Sequence, residues 1–262
     1  MQCTGDCLYP DWIAAFWIPF IHRTNAIVVL PNYRLVPEHT GADILEDLAD
    51  FWKWFHAGKL DAYLSSQGYA DLNVDYDHVL ATGDSAGGYM ALMSALTQPK
   101  GSIKAVLAQY PMTNYLRPRK GPTFFGMPSP GPEVLDQHLA TVKPGTVISS
   151  AIPPARNSLS YAMGAYGRHL EFFGRDKKLW PLGLIADAKW MPPTWIIHGD
   201  NDSAVDIGDS RAFVEQWKNG NVDGEVRLTV QEGQEHGFDI AMKEDEEAWL
   251  KQGLEWMSKW VD

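Results

Sequence analysis

Apolar positions change their spacing along this chain, and the changes mark out its elements. Residues 26–33, AIVVLPNY, form a continuous apolar run rich in β-branched side chains, the pattern of a strand buried on both faces. HVLATG (78–83), IKAVLAQYP (103–111), PPTWIIHG (192–199) and EVRLTVQE (225–232) also read as strands. Five strands are predicted, near 26–32, 78–83, 104–109, 193–198 and 225–231. Between them the spacing becomes helical. Ile44, Leu48, Phe51, Trp52 and Phe55 fall three or four residues apart, an amphipathic helix over 41–57. Further helices are predicted over 9–23, 86–97, 205–218 and 245–261. In the last of these, Trp249, Leu250, Leu254, Met257, Trp260 and Val261 share one face.

Alternating strands and helices indicate a mostly parallel sheet flanked by helices, an α/β fold. Residues 112–190 lose a clear period. Pro and Gly recur there, with helical patches at 133–141 and about 157–173. A stretch this long is not a plain loop. It reads as a helical lid inserted into a single domain spanning 1–262, over the C-terminal edge of the sheet where such folds bind ligands.

Charge and composition narrow the partners. The chain has 262 residues and a formal net charge of -11, which excludes a nucleic-acid surface built on basic side chains. The apolar run at 12–21 is too short to span a membrane, and Asp6 and Asp11 precede it where a signal peptide carries basic residues. A cytoplasmic location is the expectation. The two cysteines, Cys3 and Cys7, are too few for a disulfide framework and read as ordinary thiols. The 11 tryptophans supply core, with some available for an aromatic pocket. No cofactor or metal is called for, and the oligomeric state is not legible.

The chemistry centres on ATGDSAGGYMAL, residues 81–92. Ser85 stands between a predicted strand and a predicted helix, flanked by small residues. That is the context of a nucleophile elbow, in which a sharp turn lifts the hydroxyl clear of the sheet. A serine needs a base, and the base needs an orienting carboxylate. Downstream, IIHGDNDSAVD ends one strand with an acid cluster, and EGQEHGF follows the next with a histidine. The order serine, acid, histidine gives Ser85, Asp202 and His236, with Asp200 and Asp206 as rival acids.

Four motifs resemble the hormone-sensitive-lipase-type (carboxylesterase-like) branch of the α/β-hydrolase fold. Asn32 to His39, NYRLVPEH, matches its Tyr-Arg-Leu-Ala-Pro-Glu signature with Val36 in place of alanine. GDSAGG matches its elbow. Gly199 to Asp206 matches its Gly-x-x-Asp-Pro-Leu-x-Asp loop except at Ser203 and Ala204, and His236-Gly237-Phe238 matches its histidine motif. The resemblance selects Asp202 over Asp200. It implies a serine hydrolase acting on a small, rather apolar carboxylic ester through an acyl-enzyme, with the Ala86 N–H in the oxyanion hole and no cofactor. It also implies structural roles for Arg34 and Glu38, as a local ion pair. The branch's first three strands and its His-Gly-Gly-Gly loop have no counterpart in these residues, so an N-terminally truncated sheet is expected. AIVVLPNY should then either close up against HVLATG or leave a one-strand gap beside it. Three other readings share the fold: a non-catalytic receptor-like or inactive protein, an acyltransferase or lactone-forming enzyme, and a prolyl-oligopeptidase-type peptidase, which GGYM resembles. Phe124, Phe125, Met127, Tyr161, Met163 and Tyr166 are the apolar residues available to line a substrate pocket.

Overall fold

A computed structural model of the chain describes residues 2–116, 123–125 and 127–261. Residues 117–122 and 126, which belong to the predicted insertion, lie outside the described residues. Four parallel strands form the central sheet: β1 (Leu80–Asp84), β2 (Ala105–Gln109), β5 (Thr194–Gly199) and β6 (Val226–Gln231), in the order β1-β2-β5-β6. A two-stranded hairpin, β3 (Thr123–Phe124) and β4 (Met127–Pro128), stands apart from it. The helices are α1 (Trp17–Arg23), α2 (Gly41–His56), α3 (Lys59–Ser66), α4 (Ala86–Thr97), α5 (Glu133–Thr141), α6 (Asn157–Ala165), α7 (His169–Phe173), α8 (Pro181–Ile185), α9 (Ile207–Asn219) and α10 (Ala248–Ser258).

Strand alternation splits the core into two layers. Ala105 and Leu107 of β2, with Trp195 and Ile197 of β5, face Phe20 of α1 and Leu250, Leu254 and Met257 of α10. Val106, Ala108 and Ile196 point the other way, into a larger cluster with Ile44 and Leu48 of α2, Leu92 of α4 and Phe213 of α9. Every residue of β2 and β5 is buried, which is why their sequences carry apolar side chains at both parities. Helix α2 starts at a capping box, Thr40 with Asp43, and Trp52 Nε1 donates to Ser94 Oγ of α4 at 2.9 Å. The predicted helix over 9–23 is a 3₁₀ turn at Pro10–Trp12 followed by α1. Helix α3 was not foreseen, because it buries only Leu60 and shows little apolar periodicity.

The predicted strand at 26–32 does not form. No β-ladder includes it, and Ile27, Val28 and Leu30 are exposed. Val29 and Tyr33 alone pack against the core. Composition favours extended backbone, but a buried strand also needs neighbours for its N–H and C=O groups. Among the described residues β1 pairs only with β2, so it is an edge strand and AIVVLPNY stays outside the sheet.

Arg34 and Glu38 do not pair with each other, contrary to the expectation. Arg34 Nε and Nη2 reach Asp47 and Glu46 of α2 at 2.8 and 2.7 Å. Glu38, its side chain fully buried, accepts from Arg156 Nη1 and Nη2 at 2.9 and 2.7 Å and lies 2.6 Å from His138 Nε2. Arg156 also donates to the carbonyls of Cys3 and Val36. This clamp fastens α5 and α6 to the N-terminal segment. Burial would raise the Glu38 carboxyl, but the guanidinium and its neighbours hold it below its ordinary value. Burial pushes the Cys3 thiol up to about 11, which keeps it protonated and unreactive.

Two outcomes follow. Glu38→Ala, which leaves Arg156 buried without its counter-ion, lowers stability by about 3–5 kcal/mol in denaturant unfolding. Purified 1–262 self-associates through the free edge of β1 and the exposed side chains of Ile27, Val28 and Leu30. Light scattering falls when Ile27, Val28 and Leu30 are replaced by lysine, while circular dichroism is unchanged; a sharp cooperative melt of monomeric wild-type chain would refute this.

Candidate active site

Ser85 lies in the turn between β1 and α4 at φ 51° and ψ -111°, a conformation that few residues with a side chain adopt. The turn is possible because strand and helix touch at backbone distance: a Cβ on Gly83 would collide with the backbone of Gly87. The C-terminal ends of the strands are then tied in sequence. Ser85 N–H donates to the Gln109 carbonyl at 2.8 Å, Tyr110 N–H to Ile197 at 2.6 Å, and Asp200 N–H to Gln231 at 3.0 Å. Each bond steps one strand across the sheet.

At the last step the loop after β6 folds against the end of β5. Asn201 N–H donates to the Gln234 carbonyl at 3.1 Å, and only a glycine at 199 leaves room for that carbonyl. Glu235 Oε1 accepts from the N–H of Ser203 and of His236 at 2.6 and 2.7 Å, tying the acid loop to the histidine loop. These contacts place His236 Nδ1 2.7 Å from Asp202 Oδ2. Asp202 Oδ1 accepts from the N–H of Ala204 and Val205 at 2.8 and 2.7 Å. The Asp202 side chain is fully buried. Burial alone would raise its carboxyl, but hydrogen bonds from His198 and His236 outweigh it and hold the group well below the usual carboxylate range.

The rival acids are engaged elsewhere. Asp206 caps α9 through Gly208 N–H at 2.7 Å, and Asp200 accepts from Gly233 N–H at 2.6 Å. Both are exposed. The structure therefore joins Asp202 to His236 and brings Ser85 to the same sheet edge. Among the described residues no hydrogen bond links Ser85 Oγ to His236. Ala86 is the first residue of α4, so its N–H has no acceptor within the helix.

Three polar residues beside the site were not singled out from the sequence. The ring of Tyr110 lies 4.4 Å from that of His236, and its hydroxyl donates to Asp239 Oδ1 at 2.9 Å. Asp239 is fully buried and also accepts from Gln109 Nε2 at 2.6 Å. Burial pushes its carboxyl up, against the pull of those two donors. His198, at the end of β5, is the third: its Nε2 lies 3.1 Å from Asp202 Oδ2. All three are ordinary residues at strand or loop ends, and no spacing rule marks them.

Of the six apolar residues named for the pocket, three gather near the histidine. Phe124, Phe125 and Tyr161 form a cluster with Ala165 and Ala204, and the Phe125 ring is 5.4 Å from His236. Met163 joins the main core instead, while Met127 and Tyr166 are exposed to solvent.

The sequence matches the family described as alpha/beta hydrolase fold over residues 9–240, a span that contains all four motifs. It is 31% identical over 268 residues to a probable carboxylesterase, M8, of a Phoma species, covering 97% of this chain and 81% of that one. It is 34% identical over 196 residues to a probable carboxylesterase, clz11, of Cochliobolus lunatus, covering 70% and 87%. A Staphylococcus aureus protein whose structure is solved, described as of unknown function, superposes with a TM-score of 0.67 at 16% identity, over 100% of this chain and 86% of that one. Strand order, elbow and sequence match agree: the chain belongs to the α/β-hydrolase fold family.

Proposed function

We propose that this protein hydrolyses carboxylic esters of small, rather apolar acids through an acyl-enzyme on Ser85. The observation that carries the reading is the 2.7 Å bond between His236 Nδ1 and a buried Asp202 carboxylate, at the sheet edge that also carries a serine on a strained elbow. The probable carboxylesterases among its relatives support the same class of reaction. His236 Nε2 takes the proton of Ser85 as Oγ attacks the acyl carbon, and returns it to the leaving alcohol as the C–O bond breaks. Water, deprotonated by the same nitrogen, then cleaves the acyl-serine. Asp202 holds the imidazole in the Nδ1–H tautomer and offsets its charge while Nε2 carries the proton. The Ala86 N–H, which has no acceptor within α4, serves in this reading as a donor to the developing oxyanion.

Residues 112–190 act in this reading as a lid within a single catalytic domain. The Phe124–Phe125–Tyr161 cluster rests on His236 and forms an apolar wall for the substrate. A small-molecule ester is the only partner that the site requires.

A fluorophosphonate probe labels wild-type protein at Ser85 and leaves Ser85→Ala unlabelled; wild-type protein that is folded yet neither labelled nor active on p-nitrophenyl butyrate overturns the reading in favour of a non-catalytic member of the fold. Asp202→Asn, which leaves His236 with the wrong tautomer, lowers kcat by about 10⁴-fold in steady-state assays. Phe125→Ala removes part of the apolar wall, so kcat/KM for p-nitrophenyl butyrate falls by about tenfold and for acetate by less.

A further inference from the structure

Asp202 Oδ2 has two imidazole partners. His236 Nδ1 is one; the other is His198 Nε2, at 3.1 Å. The side chains of His198 and Asp202 are both fully buried, so water does not substitute for either. The orientation of His198 is fixed at both nitrogens. Its Nε2 faces two acceptors, Asp202 Oδ2 and the Val205 carbonyl at 2.9 Å, so this nitrogen carries the hydrogen. Its Nδ1 lies 2.8 Å from the Oγ of Ser210, a fully buried serine in the first turn of α9.

The two oxygens of Asp202 are held differently. The backbone donors, Ala204 and Val205, bind Oδ1. They leave the carboxylate free to swing about that anchor, and the oxygen that would swing is the one that His236 uses. Among the described residues His198 is the only donor to Oδ2 besides His236. We propose that His198 is a positioning residue, whose Nε2–H pins Asp202 Oδ2 so that His236 is presented to Ser85 in one orientation. This inference rests on the hydrolytic reading for its effect on rate, but the pinning itself is a property of the folded protein. The chain of contacts runs from α9 through Ser210 and His198 to Asp202 and His236, and ties the orientation of the base to a helix outside the pocket. A displacement of about 1 Å in a reacting group costs on the order of 10²-fold in rate, so loss of the pin lowers turnover without touching substrate binding.

Two polar variants separate the N–H from the bulk of the ring. Glutamine places an amide N–H near the position of Nε2, whereas asparagine reaches Ser210 but falls short of Asp202. His198→Asn is expected to lower kcat by about 10- to 100-fold with KM unchanged, and His198→Gln to recover most of the loss. Equal loss in both variants, or none in His198→Asn, overturns the proposal. A second readout needs no turnover. The far-downfield proton resonance of His236 Nδ1–H, identified by its disappearance in Asp202→Asn, stays sharp in wild type and His198→Gln and broadens or shifts in His198→Asn. An unchanged resonance in His198→Asn overturns the proposal whatever the activity. If that contrast appears in a protein without esterase activity, the hydrolytic reading fails and the positioning role stands.

Discussion

The site depends on one buried carboxylate. Four N–H groups converge on Asp202, two from the backbone of its own loop and two from the rings of His198 and His236. Burying an ionised carboxylate without partners is costly, and these four donors offset that cost. The constraint works in both directions. It keeps the acid ionised, and it obliges the loops after β5 and β6 to meet, because Asp202 is carried by the first and His236 by the second.

The sheet supplies the platform on which those loops meet. Its central strands, β2 and β5, are buried throughout, and their C-terminal ends are linked by backbone hydrogen bonds that continue to Ser85 on one side and Asp200 on the other. Small residues appear where two backbones must approach closely, at Gly83 under the elbow and at Gly199 under the histidine loop. A methyl group at either position would push apart the segments that carry Ser85 and His236.

Away from that edge, the N-terminal segment is held by a side-chain clamp and by a few backbone hydrogen bonds. Arg156, which immediately precedes α6, reaches Glu38 and the carbonyls of Cys3 and Val36. Gly5 and Ala151 exchange two backbone hydrogen bonds. The Phe125 ring rests against that of His236.

Periodicity and local chemistry fixed much of this in advance. The strands at 80–84, 105–109, 194–199 and 226–231 and the helices at 41–56 and 207–219 follow from local apolar patterns, while the helix at 86–97, buried nearly all round, follows from its place after the elbow. Small residues, strand ends and chain order mark Ser85 and His236 as candidates, while only the resemblance of its loop to a family motif separates Asp202 from Asp200 and Asp206. Tertiary structure alone decided the rest. AIVVLPNY has the composition of a buried strand, yet no neighbour completes its hydrogen bonds. Arg34 and Glu38 are four residues apart, yet each found a better partner across the fold. The contacts of His198 with Asp202 and Ser210 depend on how the loop after β5 folds back. Tyr110 and Asp239 meet only where strand and loop ends converge, since a hydrogen bond between residues distant in sequence leaves no periodic trace in either segment.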